Sequence, residues 1–187
     1  RATITRALIE KKGFDFVAIE ADWPDAALIN DHVLGPPRRA ALSFEPFTRF
    51  PTWMWRNQET NQFVEWLRAY NRRPRPGHGS VGFYGLDLYS MFTSIAAVLA
   101  YLDRVDPALA AVARERYAKL LPWQEDPAAY GQAVLVGASS SSEDAVVSLM
   151  RDLLERRLAY SQHDGARFFD AARNARLVAN AERYYRA

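Results

Sequence analysis

The chain lacks several features that would assign it at once to a common class of protein. It contains no cysteine, which excludes a disulfide framework, a thiolate metal site and a cysteine nucleophile. No apolar run approaches the roughly 18–20 residues that a membrane-spanning helix needs. The 187 residues are nevertheless 49% hydrophobic and include five Trp, nine Tyr and ten Phe. This content suffices for a hydrophobic core and about one or two domains.

The charge balance gives little support to a polyanionic partner. Lys and Arg number 24 against 22 for Asp and Glu, so the formal net charge is only +2 despite a sequence pI near 9.0. The nearest basic cluster, Arg68, Arg72, Arg73 and Arg75, follows a helical pattern, where cations favour the helix dipole and solvent. We interpret this cluster as a solvated helix end and expect neither a nucleic-acid partner nor a membrane.

Both ends of the sequence have the character of the interior of a longer protein. Arg1 already belongs to a helical pattern, and the last helical pattern reaches Ala187 without a glycine, a proline or another stop signal. No secretion signal is recognisable. We therefore expect an internal fragment of a cytoplasmic protein.

The first half of the chain predicts strands that alternate with helices. Apolar runs predict strands at 14–20 and 80–87, and helical periodicity covers 2–12, 24–33, 54–71 and 88–103. Gly13 suits a left-handed residue after the first helix, and Asp22 suits a cap at the start of the second. The nearly continuous apolar run at 16–19 is typical of a strand covered on both faces. Residues 34–52 and 72–79 predict loops.

The second half predicts helices alone, near 107–119, 127–136, 143–160 and 166–186. Asp106, Asp126 and Asp164 suit their caps, and the small polar residues 137–142 predict a linker. The fold class is therefore α/β, with a partial parallel-sheet core and a largely helical second half. We place the domain boundary between a partial α/β core at 1–104 and a helical subdomain at 105–187.

Two predicted strands each end in an acid, Glu20 in the first and Asp87 in the second. Ligands of open parallel sheets bind in the crevice outside the carboxyl ends of the strands. If the strands are parallel neighbours, these carboxylates share that crevice and could act in acid–base catalysis, orient a histidine or hold a cation. The alternative is that both acids merely cap the helices that follow.

The aromatic stretch at 47–57 offers a further candidate for binding. Its Trp53 and Trp55 could line a pocket for a large apolar ligand, or they could pin the loop to the core. Residues 139–142 are serines without a Gly-x-Ser-x-Gly elbow, and the glycines at 82 and 85 do not form a dinucleotide-binding motif. The sequence therefore supports neither a serine nucleophile nor a nucleotide cofactor.

Histidine is scarce and has no metal-site spacing. His32, His78 and His163 are the only three, and none has a partner in an HxH or HExxH arrangement. We interpret His78 and His163 as exposed loop residues and assign a catalytic role to none of the three.

Four segments in the same order resemble the erythromycin esterase family. They are GFDFVAIEADWPD at 13–25, FPTWMWRN at 50–57, GFYGLD at 82–87 and FFDAARNARLVANAE at 168–182. The resemblance implies an α/β core with inserted helical parts and hydrolysis of a macrolactone ester. It also implies a catalytic histidine that activates water, an arginine on the following helix, a glutamate at the end of the next strand and a second histidine farther along.

Position by position, the resemblance places the family arginine at Arg1 and the strand-end glutamate at Glu20. Both histidines would lie outside the sequence, one before Arg1 and one beyond Ala187. The 187 residues alone are therefore expected to be inactive. Asp87, Trp53 and Trp55 are our candidates for substrate binding, from the strand-end and aromatic arguments and not from the family.

Three functions remain open at this point. The first is a hydrolase without metal or cofactor that cleaves a small-molecule ester or lactone, with macrolides and antibiotic resistance implied by the family. The second is a noncatalytic or biosynthetic protein of succinoglycan type on the same scaffold, which binds a saccharide or another ligand. The third is a metal-assisted hydrolase that uses Glu20 and Asp87.

Overall fold

The computed structural model describes residues 1–35, 46–49, 51–73 and 79–187. Two strands and eight α-helices lie within these ranges. They are α1 (Ala2–Lys12), β1 (Phe16–Asp22), α2 (Trp23–Leu34), α3 (Gln58–Asn71), β2 (Gly82–Asp87), α4 (Met91–Val105), α5 (Pro107–Tyr117), α6 (Pro127–Leu135), α7 (Glu143–Glu155) and α8 (Arg157–Arg186), with 3-10 turns at Thr52–Met54 and Leu121–Trp123. The predicted α/β class with a helical second half is confirmed.

The chain divides into two compact units, Arg1–Asp87 and Leu88–Ala187. This division falls earlier than the boundary predicted at 104/105, because α4 packs against α5 and α8. Whether either unit is an independently folding domain stays a prediction.

The first unit is built on a two-stranded parallel sheet. Phe16 pairs with Gly82 and Ile19 with Gly85, so the strands are parallel neighbours as the strand-end argument required. Each strand begins two residues later than predicted. The connection between the strands contains α2 and α3, in keeping with the long crossover that parallel strands need.

Only one face of β1 is covered within the described residues. Ile19 and Ala21 are buried in the core cluster with α2 and α3, whereas Phe16 on the other face is 56% exposed. The prediction of a strand covered on both faces is therefore wrong for this part of the chain. The apolar run at 16–19 includes residues that alternate between a packed face and an open one.

Local signals place several helix ends of the first unit. Gly13 adopts the left-handed conformation (φ 71°) after α1, as predicted. Asn57 caps α3 by accepting a hydrogen bond from the Thr60 N–H at 2.8 Å. At the other end of α3, the Asn71 side chain exchanges two hydrogen bonds with the backbone of Val81, which ties this helix to the start of β2.

The second unit packs its helices around α8. The predicted caps Asp106 and Asp126 accept backbone hydrogen bonds at the starts of α5 and α6. The predicted cap at Asp164 is also confirmed: this residue is non-helical within α8, and its carboxylate accepts the Arg167 N–H at 3.0 Å. The helical segment before it continues through residue 163, where a gap was predicted. His163 thus lies in a helix and not in a loop, although it is exposed as predicted.

The predicted linker at 137–142 is held to the body of the second unit. Ser142 is buried and its N–H donates to the Tyr130 hydroxyl at 2.8 Å. Ser141 donates to the buried carboxylate of Glu182 at 3.1 Å, and Tyr130 donates to the same oxygen at 2.7 Å. A free linker is therefore the wrong description. Across the described ranges, no helix combines the length and the apolar character that crossing a bilayer requires.

Candidate functional site

The carboxyl ends of β1 and β2 meet at an irregularity in the ladder. Ile19 pairs with Gly85 and Asp22 with Asp87, so two residues of β1, Glu20 and Ala21, lie opposite the single Leu86. Such a bulge re-aims the side chains that follow it. It brings Asp22 onto the same side of the sheet as Asp87.

Gly85 permits this close approach of the two backbones. A Cβ atom at position 85 would lie 2.7 Å from the carbonyl oxygen of Asp22 and would overlap the carbonyl oxygen of Ala21. These neighbours are main-chain atoms, which cannot swing aside as a flexible side chain does. The glycine of the second strand is therefore part of what makes the bulge of the first strand fit.

One arginine joins the two strand-end aspartates. Arg49 Nε donates to Asp22 Oδ2 at 2.8 Å, and Arg49 Nη2 donates to Asp87 Oδ2 at 3.3 Å. Asp22 is only 6% exposed, and its second oxygen has no hydrogen-bond partner among the described residues. Asp22 was predicted to cap α2; it occupies that position, but its side chain makes no capping bond and is held by Arg49 instead.

A strained residue holds the segment that carries Arg49. Phe47 is buried and adopts a positive φ of 65°, which costs a non-glycine residue about 1–3 kcal/mol. Its backbone N–H donates to the carboxylate of Asp25, one turn into α2. Asp22, Asp25, Asp87 and Arg49 thus form one group, which we call the strand-end cluster.

Burial, together with the charge of a neighbouring acid, raises the pKa of two carboxyl groups in the strand-end cluster. Burial raises the pKa of Asp25, and the charge of Asp22 adds to this effect against the opposing Phe47 N–H. Burial likewise raises the pKa of Asp87; the charge of Asp22 raises it further, and Arg49 opposes the increase. Three carboxylates around one guanidinium leave the cluster with excess negative charge.

Glu20 has a different environment from its neighbours in the cluster. It is exposed, and its carboxylate makes no hydrogen bond or ion pair within the described ranges, although its charge contributes to the raised pKa of Asp87. Its backbone carbonyl accepts a hydrogen bond from Trp55 Nε1 at 2.7 Å. The main chain at position 20 is therefore fixed while the carboxylate stays available.

Contacts between α1 and α3 set the direction of the first helix. The Arg6 guanidinium lies 4.9 Å from the Trp66 ring centroid, and the Tyr70 hydroxyl donates to the Ile9 carbonyl at 3.4 Å. Residue numbers rise together along both helices, so α1 and α3 run in the same direction. Their N-terminal ends therefore lie at the same end of the first unit.

That shared end is the end where β1 finishes, because Trp55, just before α3, contacts the Glu20 carbonyl. Arg1 precedes α1 there and is exposed, with its own carbonyl accepting the Thr5 N–H at 3.1 Å. No ion pair joins Arg1 to Glu20 among the described residues. Topology brings the two predicted catalytic residues to one edge without direct contact, and their roles stay predictions.

The two tryptophans predicted to bind substrate differ in environment. Trp55 is partly buried, packs against the core and has its ring 6.4 Å from that of Phe47. Trp53 is 68% exposed. Trp55 therefore anchors its loop to the core. The binding roles of Trp53, Trp55 and Asp87 stay predictions.

A buried polar network lies away from the strand ends. His32 on α2 is almost fully buried, with Nε2 2.7 Å from Glu65 Oε1. A carboxylate only accepts, so Nε2 carries the proton directed at Glu65. Arg68 Nη1 lies 3.0 Å from Nε2 and 3.2 Å from Nδ1, and with the proton on Nε2 only Nδ1 can accept from it. Sequence reasoning missed this network, since His32 is 33 residues from Glu65 and 36 residues from Arg68 along the chain.

The interpretation of the basic cluster as solvated is partly wrong. Arg68 is only 5% exposed because its side chain turns inward to His32, whereas Arg72 and Arg73 are exposed as predicted. Arg75 and His78 lie outside the described residues. Within the described ranges, no three His, Asp or Glu side chains are arranged as a metal site.

Comparison with known proteins assigns the family. Two solved structures each cover 100% of this chain at 18% identity: a succinoglycan biosynthesis protein with a TM-score of 0.75 and a Bacillus cereus protein with a TM-score of 0.70. This chain spans 43% of the length of each, and at this identity the likeness establishes the fold. The family model of erythromycin esterase matches residues 9–187, which is nearly the whole sequence. The chain therefore belongs to the erythromycin esterase family.

Proposed function

We propose that this chain supplies part of the active site of a hydrolase that opens an ester or macrolactone with histidine-activated water. The observation that carries the proposal is the contrast between neighbouring acids at the end of β1. Asp22 is committed to Arg49, whereas the Glu20 carboxylate has no partner within the described ranges. Family membership supplies the reason to assign a catalytic role to that free carboxylate.

The proposed chemistry uses Glu20 to set the tautomer of a histidine that the family resemblance places outside these 187 residues. One ring N–H donates to the Glu20 carboxylate, so the other nitrogen is free to take a proton from water. The water oxygen attacks the ester carbon, and the proton then passes to the leaving alkoxide. Arg1 is proposed to stabilise the oxyanion that develops on the carbonyl oxygen.

Macrolides are the proposed substrate class, with antibiotic resistance as the biological role and the cytoplasm as the location. These assignments follow from family membership alone. In the same proposal, Trp53 offers its exposed ring as an apolar surface for a large substrate.

The test is the substitution Glu20→Gln in the full-length protein. We expect hydrolysis of a macrolactone to fall by about a hundredfold or more with an unchanged melting temperature, since the amide cannot accept a charge-assisted hydrogen bond from the histidine. Glu59→Gln, at an exposed glutamate in the first turn of α3, is the matched control and should retain activity. Full activity in the Glu20 variant would contradict the proposal.

A second candidate is a noncatalytic or biosynthetic role. It is supported by the description of one structural relative as a succinoglycan biosynthesis protein. In that case the full-length protein would bind a saccharide or another ligand without turning over any ester, and Glu20→Gln would alter binding alone.

A further inference from the structure

The second unit contains a groove along the contact of α7 and α8. Three adjoining cavities of about 370, 560 and 310 Å³ share Met150 as a lining residue. Together they form one elongated depression, which we call the arginine groove. The depression extends along both helices.

The floor of the arginine groove is apolar. Val147, Met150 and Leu154 are spaced at i, i+3 and i+7 along α7, so they form one stripe on the helix surface. Leu158 is 72% exposed, and Phe169 from α8 is also exposed. This apolar stripe remains open to solvent along its length within the described residues.

The rims of the groove are basic. The arginines that line it are Arg151, Arg157, Arg173, Arg176 and Arg183. None of these five makes an ion pair with a described residue. The guanidinium of Arg173 lies 4.9 Å from the Phe169 ring centroid.

Other arginines of the same unit do find carboxylates. Arg114 pairs with Asp103 at 2.7 Å and Arg116 pairs with Asp152 at 2.6 Å. Two glutamates also line the groove, and one of them, Glu143, is already bound by Arg186 at 2.6 Å. The groove therefore keeps a clear excess of positive charge beside an apolar floor.

We propose that the arginine groove binds an amphipathic α-helix of a partner protein, with its apolar stripe on the floor and acidic side chains against the arginines. The apolar residues of α7 form a straight stripe along the groove, and an amphipathic helix presents a complementary stripe through its own anchors at i, i+3, i+4 and i+7. Each of the three cavities is lined by two of these arginines, and this spread of positive charge suits a ligand that carries several spaced carboxylates. A single-headed amphiphile would engage only one end of the groove.

The experiment uses a synthetic helical peptide of about 18 residues, long enough to form a helix, with a leucine stripe flanked by glutamates. Fluorescence anisotropy measures its binding to the full-length protein. A second peptide carries lysine in place of each glutamate. We expect the acidic peptide to bind at least about tenfold more tightly than the basic one.

Variants that reverse the charge of the groove test the same interaction from the side of the protein. The double variant Arg173→Glu/Arg176→Glu should lose about tenfold or more in affinity for the acidic peptide and should gain affinity for the lysine peptide. Arg104→Glu, on α4 outside the groove, should leave both affinities unchanged. Leu154→Glu tests the floor and should also weaken binding of the acidic peptide. Circular dichroism verifies that each variant retains its helices.

Several outcomes would overturn the proposal. Equal binding of the two peptides, or no effect of charge reversal, would remove the basis for an acidic helix. Light scattering that shows a dimer abolished by Leu154→Glu would make a second copy of this chain the occupant. Displacement of the acidic peptide by phosphatidylglycerol vesicles, but not by phosphatidylcholine vesicles, would make a membrane surface the occupant.

Discussion

Gly85 is the position where one added methyl group should disturb the strand ends most directly. In Gly85→Ala, the new Cβ would lie 2.7 Å from the Asp22 carbonyl oxygen and would overlap that of Ala21, so the backbone of one strand must move. Overpacking of this kind costs about 1–3 kcal/mol, and we expect the upper half of that range because the neighbours are main-chain atoms. The matched control is Gly79→Ala, where a Cβ would meet nothing within 4 Å.

Urea unfolding followed by tryptophan fluorescence measures the effect. Four of the five tryptophans lie in the first unit, so the signal reports mainly on the part of the chain that contains Gly85. A loss of about 2 kcal/mol corresponds to a decrease of the unfolding midpoint by about 1 M urea. The control should stay within about 0.5 kcal/mol of wild type. Equal midpoints for the two variants would refute the close approach of β1 and β2 as the reason for glycine.

Three further substitutions test separate interactions. Arg49→Met should raise the pKa of Asp87 further in an NMR titration, because the charge and hydrogen bond of the arginine lower that pKa. Asp106→Ala should cost about 1 kcal/mol of unfolding free energy through loss of the α5 cap. The Leu109 N–H lowers the pKa of Asp106 below its ordinary 3.8, so the ionised carboxylate stabilises the fold above that pH. This stabilisation is lost on acidification. The difference in unfolding free energy between wild type and the variant should therefore shrink as the pH falls below 3.8. Tyr130→Phe should cost about 1–3 kcal/mol in urea unfolding, whereas Tyr117→Phe should cost nothing, because the Tyr117 hydroxyl is buried without a partner among the described residues.

For each of these three tests, one result would contradict the stated interaction. An unchanged titration of Asp87 would mean that Arg49 does not influence it in solution. A deficit of the Asp106 variant that grows in acid would contradict the direction of its pKa shift. Equal losses in the two tyrosine variants would mean that hydrogen bonding of the hydroxyl does not distinguish them.

The features predicted well from sequence are those set by neighbours along the chain. Gly13 takes its left-handed conformation because a helix end needs a residue without a Cβ clash. Asp106 and Asp126 each precede a proline, and this pairing marks a helix start by local chemistry alone. The end of β2 at Asp87 follows from its apolar run, whereas β1 continues two residues past the predicted end at Glu20, to Asp22.

The features missed are set by residues distant in sequence. Asp22 has the sequence context of a helix cap, but Arg49 competes for its carboxylate from a segment whose path no local pattern predicts. Arg68 has the context of a solvated helix end, but the imidazole of His32 draws it into the interior. The register shift between Ile19 and Asp22 exists only in the pairing with β2, so the sequence of β1 alone could not reveal it.

The extra residue in β1 gives two acids in one short strand opposite surroundings. In a regular strand, residues 20 and 22 would share a face and compete for the same solvent and the same cations. Here the polypeptide directs one carboxylate inward, where it is shielded from solvent and bound by Arg49, and leaves the other exposed to water. A single stretch of backbone thus holds one acid against Arg49 and leaves the other facing solvent, so exchange of the residues at 20 and 22 would not exchange their surroundings.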